Sequence, residues 1–95
     1  MHKVSVIIPT YKRAERLDKA IDSVLNQTYD NIEVIVVDDN DPDTEYRKET
    51  EKFMQRYKDN SKVIYIKHEK NKNGAAARNT GIKAANGDFI GFLDD

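Results

Sequence analysis

Two pairs of neighbouring aspartates, one tyrosine and one arginine are the residues of this 95-residue chain whose types and settings could do chemistry. Asp38-Asp39 opens the run Asp38-Asp39-Asn40-Asp41 directly after the apolar stretch Val34-Ile35-Val36-Val37, and Asp94-Asp95 follows Phe89-Ile90-Gly91-Phe92-Leu93. A carboxylate pair in such a place can hold a hard divalent cation, Mg2+ or Mn2+, which takes oxygen ligands and keeps waters and substrate phosphates. It can equally accept hydrogen bonds from a nucleobase or ribose, or simply cap the helix that follows. Tyr11 comes just after the run ending in Pro9, where its ring could stack on a base or pack. Arg78 lies behind Lys70, Lys72 and the Asn73-Gly74 turn. A helix beginning at that turn would attract an anion at its N-terminus, and Gly74 would let it come close. An arginine on a helix is otherwise an ordinary solvated side chain.

The elements that must position these residues can be read from the apolar pattern. Four short runs, Val4–Pro9, Ile32–Val37, Val63–Ile66 and Phe89–Leu93, are nearly continuous rather than alternating. That suits strands covered on both faces, as in parallel sheets. Between the first two, Leu17, Ala20, Ile21, Val24 and Leu25 form one helical stripe opposite Arg13, Arg16, Lys19 and Asp22. A second helix is predicted to start at Asp41-Pro42, an acidic cap followed by proline, with a weaker stripe of Tyr46, Thr50, Phe53 and Tyr57. A third runs from Gly74 through Ala75-Ala76-Ala77 to Ala85, its small residues allowing close approach to the sheet, and Asn86-Gly87 is predicted to end it in left-handed geometry. The order βαβαβαβ gives an α/β domain with a mostly parallel four-stranded sheet between layers of helices, joined by right-handed crossovers. In open sheets of this kind ligands bind beyond the carboxyl ends of the strands, where strand order reverses. Tyr11, Asp38-Asp39, Arg78 and Asp94 then share one edge, and a nucleoside diphosphate is the ligand that would use them together.

Composition narrows the partners. Sixteen basic and 17 acidic residues leave a formal charge of −1, which gives no general attraction to nucleic acid. There are no cysteines, so disulfides and thiolate metal sites are excluded, and the histidines, His2 and His68, stand far apart. The apolar runs are too short to span a bilayer. The expected location is the cytoplasm, with a longer protein free to associate with a membrane. A chain of this length buries roughly 60–65% of its unfolded surface, enough for one small domain.

The stretches VSVIIPTYKR, AIDSVLNQTYDNIEVIVVDDN and NGAAARNTGIKAANGDFIGFLDD, in that order, resemble the family 2 glycosyltransferases, inverting enzymes of the GT-A fold, and the similarity covers essentially the whole chain. The resemblance implies that residues 1–95 are the nucleotide-sugar half of a truncated domain whose acceptor half is absent. Pro9, Thr10 and Tyr11 would line the nucleotide pocket, Asp39 would accept a hydrogen bond from the base, and Asp38 would support the loop. Arg78 would lie near the diphosphate or donor sugar. Asp94 would open the family's D-x-D metal motif, with Asp95 at the variable position and Mg2+ or Mn2+ as cofactor. The donor is expected to be a UDP-sugar and the acceptor a carbohydrate or lipid-linked hydroxyl. The general base would lie beyond these residues, so the chain alone is not expected to catalyse transfer. Two departures fall in loops: Asp38-Asp39-Asn40-Asp41 replaces the usual Asp-Asp-Gly-Ser, and Lys12 replaces a frequent asparagine.

Two other readings compete. A receiver domain also gathers acids and Mg2+ at strand ends, but it needs an acid pair where Pro9-Thr10-Tyr11 stands and a lone aspartate where Lys67-His68 stands. A non-catalytic nucleotide-binding or assembly module is the third reading. Phe89, Ile90 and Phe92, short of covering partners, are expected to make the chain self-associate.

Overall fold

A computed structural model describes residues 2–27 and 29–94. Strands β1 (Val4–Thr10), β2 (Ile32–Asp38), β3 (Val63–Lys67) and β4 (Phe89–Phe92) alternate with helices α1 (Ala14–Leu25), α2 (Glu45–Met54) and α3 (Gly74–Ala84), with a 3-10 turn over Gln55–Tyr57. All pairings are parallel, in the order β3-β2-β1-β4. The expected α/β fold is therefore present.

Strand β2 is buried along its whole length, which explains why it reads Ile-Glu-Val-Ile-Val-Val without alternation. Its two faces feed two cores. Val34, Val36 and Ile8 pack with Leu17, Ala20, Ile21 and Val24 of α1 and Met54 of α2. Ile7, Ile35 and Val37 pack on the other face with Ala77 of α3. Helices α1 and α2 thus cover one side and α3 the other, as a shared crossover hand requires when the order reverses after β3. The close approach of α3 rests on Gly81, where a Cβ would stand 2.4 Å from Ile7 Cγ2.

Two predicted helix ends are corrected. Helix α2 starts at Glu45, capped by Thr44, whose side chain accepts from the Arg47 amide at 3.2 Å. The Asp41 carboxylate instead accepts the amide of Asn71 at 2.8 Å, so the acid that looked like a cap ties down a distant loop. Asn86-Gly87 does not end α3 in left-handed geometry: Ala85 is extended, and none of the glycines described has a positive φ. Gly87 serves close approach, since a Cβ there would meet Ser5 Oγ at 2.5 Å and Lys3 O at 2.8 Å. The Asn86 amide donates to Glu33 Oε2 at 2.7 Å and the Gly87 amide to Ser5 Oγ at 2.8 Å, which pins the chain as it enters β4.

The far end of β4 is different. Its ladder with β1 stops at Ile7↔Phe92, followed by Leu93 N donating to Ile7 O at 3.0 Å. In β1 the alternate residues Ser5, Ile7 and Pro9 present their backbone to β4, and Pro9 has no N–H to offer. One donor is therefore missing from the ladder at that position, just beyond the last recorded pair. Phe89, Ile90 and Phe92 are 57, 42 and 50% exposed, an apolar edge against which the His2 ring packs edge-on at Phe89.

Candidate functional site

Strand order reverses between β1 and β4, and a cleft of about 380 Å3 opens at the carboxyl ends of these strands on the α3 side. Pro9, Thr10 and Tyr11 of the β1 exit, Asp39 of the β2 exit, Arg78 of α3 and Asp94 beyond β4 line it. These are six of the candidates picked out from the sequence. Asn71, Asn73, Gly74 and Ala77 complete the lining; sequence reasoning marked Asn73 only as part of the turn before the third helix and gave Asn71 no role. Asp95 lies outside the described residues.

The β2 exit is a filled hydrogen-bond network. Asp38 is fully buried and does not reach the cleft. Its Oδ1 accepts from the Asn40 amide at 3.0 Å and from Asn40 Nδ2 at 2.8 Å, and its Oδ2 accepts from the Tyr65 hydroxyl. Arg47 Nε lies 3.2 Å from Asp38 Oδ2, an ion pair in which that N–H is not aimed well enough to form a hydrogen bond. The guanidinium is fixed instead by Nη2, which donates to Asn40 O at 2.5 Å and His68 O at 2.6 Å. Burial and then the Asp38 carboxylate push the Tyr65 hydroxyl well above the ordinary tyrosine range. Arg47 was hidden from sequence reading by a helix that looks uniformly polar. The one available signal was the buried acid itself, which needs a cation.

Asp39 organises the opposite wall. Oδ1 accepts from the Lys72 amide at 2.9 Å and from His68 Nδ1 at 2.8 Å. Oδ2 accepts from Asn71 Nδ2 and the Asn73 amide, each at 3.0 Å. A carboxylate offers about four lone-pair positions, so all are used within the chain. These bonds hold the loop before α3, including Asn73 at φ 92 and ψ 170, a strained region that is otherwise almost confined to glycine. Asn73 then caps α3, its Oδ1 accepting the Ala76 amide at 3.1 Å.

Arg78, Tyr11 and Asp94 are the exposed side chains of the cleft beyond this loop. Arg78 is exposed and has no ion pair among the described residues. Tyr11 is 42% exposed. Lys12, at φ 57 and held by its amide donating to Asn40 Oδ1 at 2.8 Å, places its ammonium 5.0 Å from the ring centres of both Tyr11 and Tyr46. The Tyr11 hydroxyl, then Tyr46 and Asp41, raise the Lys12 pKa above its usual value. Asp94 is exposed at the cleft's edge, and no cluster of three acid, histidine or cysteine side chains suited to a metal occurs among the described residues. The arrangement is a concave site with an aromatic face at one end and an unpaired cation beside a helix N-terminus. Such a site suits a base joined to a phosphate-bearing chain.

The family model described as Glycosyl transferase family 2 matches residues 5–95. A UDP-Glc:alpha-D-GlcNAc-diphosphoundecaprenol beta-1,3-glucosyltransferase of Escherichia coli is 39% identical over 94 residues, 99% of this chain and 35% of that protein. The crystal structure of S. aureus TarS 1-349 in complex with UDP-GlcNAc superposes with a TM-score of 0.81 at 30% identity, over 97% of this chain and 26% of the other. The mannosyltransferase PcManGT from Pyrobaculum calidifontis, in complex with GDP-Man and Mn2+, gives 0.80 at 25% identity, over 98% and 27%. The chain spans between 12 and 35% of the length of the curated relatives it matches.

Proposed function

The chain belongs to glycosyl transferase family 2, and from that premise we propose that it is the donor-binding half of an enzyme that moves a sugar from a nucleoside-diphosphate carrier to an acceptor hydroxyl. The observation that carries this reading is the cleft at the strand-order reversal, which gathers Pro9, Thr10, Tyr11, Asp39, Arg78 and Asp94. Tyr11 offers its ring to the base. Asp38 and Asp39 give the base pocket its shape, and Asp39 would accept from the base by exchanging one of its present donors for it. Arg78 stands where a diphosphate would lie and offsets the charge that grows there as the sugar leaves.

The donor is proposed to be a UDP-sugar, in line with the donor named for the Escherichia coli relative and the UDP-GlcNAc of the TarS complex. The acceptor oxygen attacks the anomeric carbon from the face opposite the diphosphate, so the C–O bond to phosphate breaks as the new one forms and the configuration inverts. The acceptor's proton goes to a general base outside residues 1–95, which leaves this chain inactive alone. The acceptor is proposed to be a carbohydrate or lipid-linked hydroxyl, consistent with the diphosphoundecaprenol-linked acceptor in that relative's name.

Asp94 is an exposed hard-oxygen ligand, and Mg2+ is commonly held by one or two carboxylates together with substrate phosphates, so this one carboxylate suits a divalent ion that the donor's diphosphate would help to hold. Held by Asp94, with its sequence neighbour Asp95 proposed as a further ligand, Mg2+ or Mn2+ would neutralise charge on the departing diphosphate. The proposed location is the cytoplasm, since a nucleotide sugar is too highly charged to cross a bilayer unaided. Self-association through Phe89, Ile90 and Phe92 is also proposed, on the ground of their exposure.

Calorimetric titration of the chain with UDP, GDP and ADP, each with and without Mn2+, tests the donor reading. Binding of UDP, strengthened by Mn2+, is expected. Failure of all three diphosphates to bind would overturn it.

A further inference from the structure

Beneath the cleft a buried histidine joins two of its walls. His68 follows β3 and is 6% exposed. Its amide donates to Asp38 O at 2.9 Å, and its carbonyl accepts from Arg47 Nη2 at 2.6 Å, so its backbone is fixed to the β2 exit. Its ring spans outward from there: Nδ1 lies 2.8 Å from Asp39 Oδ1, and Nε2 lies 2.7 Å from Thr80 Oγ1. A carboxylate accepts, so Nδ1 carries a hydrogen, and a ring with its hydrogen there alone accepts the Thr80 hydroxyl at Nε2. Thr80 is two residues beyond Arg78 on α3. One ring therefore ties the acid that shapes the loop to the helix that carries the cation.

Resting on the nucleotide-sugar reading, we propose that His68 is a positioning residue of the donor site. It does not line the cleft and acts only through its neighbours. Its Nδ1–H completes the set of donors on Asp39, which fixes the Lys72 and Asn73 amides and the start of α3. Its Nε2 fixes α3 against rotation or sliding, so that Arg78 is presented in one place. An apolar side chain of similar size would fill the space but leave Asp39 short of a donor and the Thr80 hydroxyl facing carbon, each a cost of burial without a partner.

Substitutions separate this role from core packing. Leucine at 68 removes both bonds. Asparagine places an amide nitrogen near the position of Nδ1 and keeps the donor to Asp39 without reaching Thr80. Thr80→Val removes the hydroxyl alone. The chain and its His68→Leu, His68→Asn and Thr80→Val variants are titrated with UDP in the presence of Mn2+, with thermal melts in parallel and imidazole 15N spectra of the unsubstituted chain. At typical net values for one hydrogen bond, Thr80→Val is expected to weaken UDP binding about threefold and His68→Leu about tenfold or more. His68→Asn should return to within about threefold of the unsubstituted chain while melting as low as His68→Leu. The spectra should show the Nδ1–H tautomer, shifting on saturation with UDP. The inference is overturned by unchanged UDP affinity in His68→Leu, by affinity that merely follows melting temperature across the variants, or by the Nε2–H tautomer. If His68→Leu does not fold, unchanged affinity in Thr80→Val overturns it. No UDP binding by the unsubstituted chain would bring down the donor reading and this inference together, whereas binding with an indifferent His68→Leu removes this inference alone.

Discussion

The exits of β2 and β4 begin alike, each as an acid after a buried-looking apolar run, and the folded chain treats them in opposite ways. Asp38 is sealed among Asn40, Tyr65 and Arg47, and Asp39 is saturated by four donors. Asp94 is exposed, at the end of a strand whose phenylalanines are half bare. One wall of the cleft is thus completed by the chain's own bonds, while the other waits for contacts from elsewhere. The lesson is that a carboxylate's place after a strand sets where it emerges, and its supply of donors decides whether it shapes a site or remains open to a ligand.

The sharpest way to break the contrast is at Arg47. Arg47→Met leaves Asp38 buried without its cation, and removal of one partner from a buried pair costs about 3–5 kcal/mol. Urea unfolding should show a loss of that size; a loss below about 1 kcal/mol would mean that Tyr65 and Asn40 alone hold the acid. Next comes the helix that carries Arg78. Gly81→Ala drives a methyl into Ile7 and is expected to destabilise by about 1–3 kcal/mol by the same measurement. Arg78→Ala should do the reverse of Arg47→Met, because its group is open. Stability should hold within about 0.5 kcal/mol, while calorimetry shows UDP affinity falling roughly tenfold, as expected for a charge-assisted hydrogen bond.

The smallest effect sharpens the picture of β4, which is held at its entry and free at its exit. Burial pushes the Glu33 carboxyl upward, but hydrogen bonds from Ser5 and the Asn86 amide, with Lys3, outweigh it and leave the pKa below the ordinary 4.5. A folded-state pKa lowered in this way adds stability above 4.5 that disappears as pH falls through the lower folded value. Acid unfolding followed by circular dichroism should therefore show a shallower loss below pH 4.5 in Glu33→Gln than in the parent chain. Identical acid limbs would mean that Glu33 does not pin the strand.

What the sequence made legible was whatever depends on near neighbours. Four continuous apolar runs specified four parallel strands, although only β2 is buried along its whole length and β4 is largely exposed. Strand exits, the start of the third helix and the family resemblance together marked Pro9, Thr10, Tyr11, Asp39, Arg78 and Asp94, which line the cleft, and also Asp38, which does not. The hidden part depends on partners far along the chain. Asp41 looked like a cap because Pro42 follows it, yet its carboxylate is taken by an amide 30 residues away. Gly87 looked like a left-handed stop, but the constraint on it is the proximity of Lys3 and Ser5. His68 looked idle because its two ring partners, Asp39 and Thr80, stand 29 residues before it and 12 after it.

Pro9 gives the cleft an edge unlike its other walls. Hydrogen bonds and ion pairs change with salt or denaturant, but a missing N–H does not. At the β1 exit one backbone donor is absent by covalent structure, whatever the conditions. That edge of the cleft, lined by Pro9 itself, therefore offers an apolar ring and a carbonyl and never an amide hydrogen.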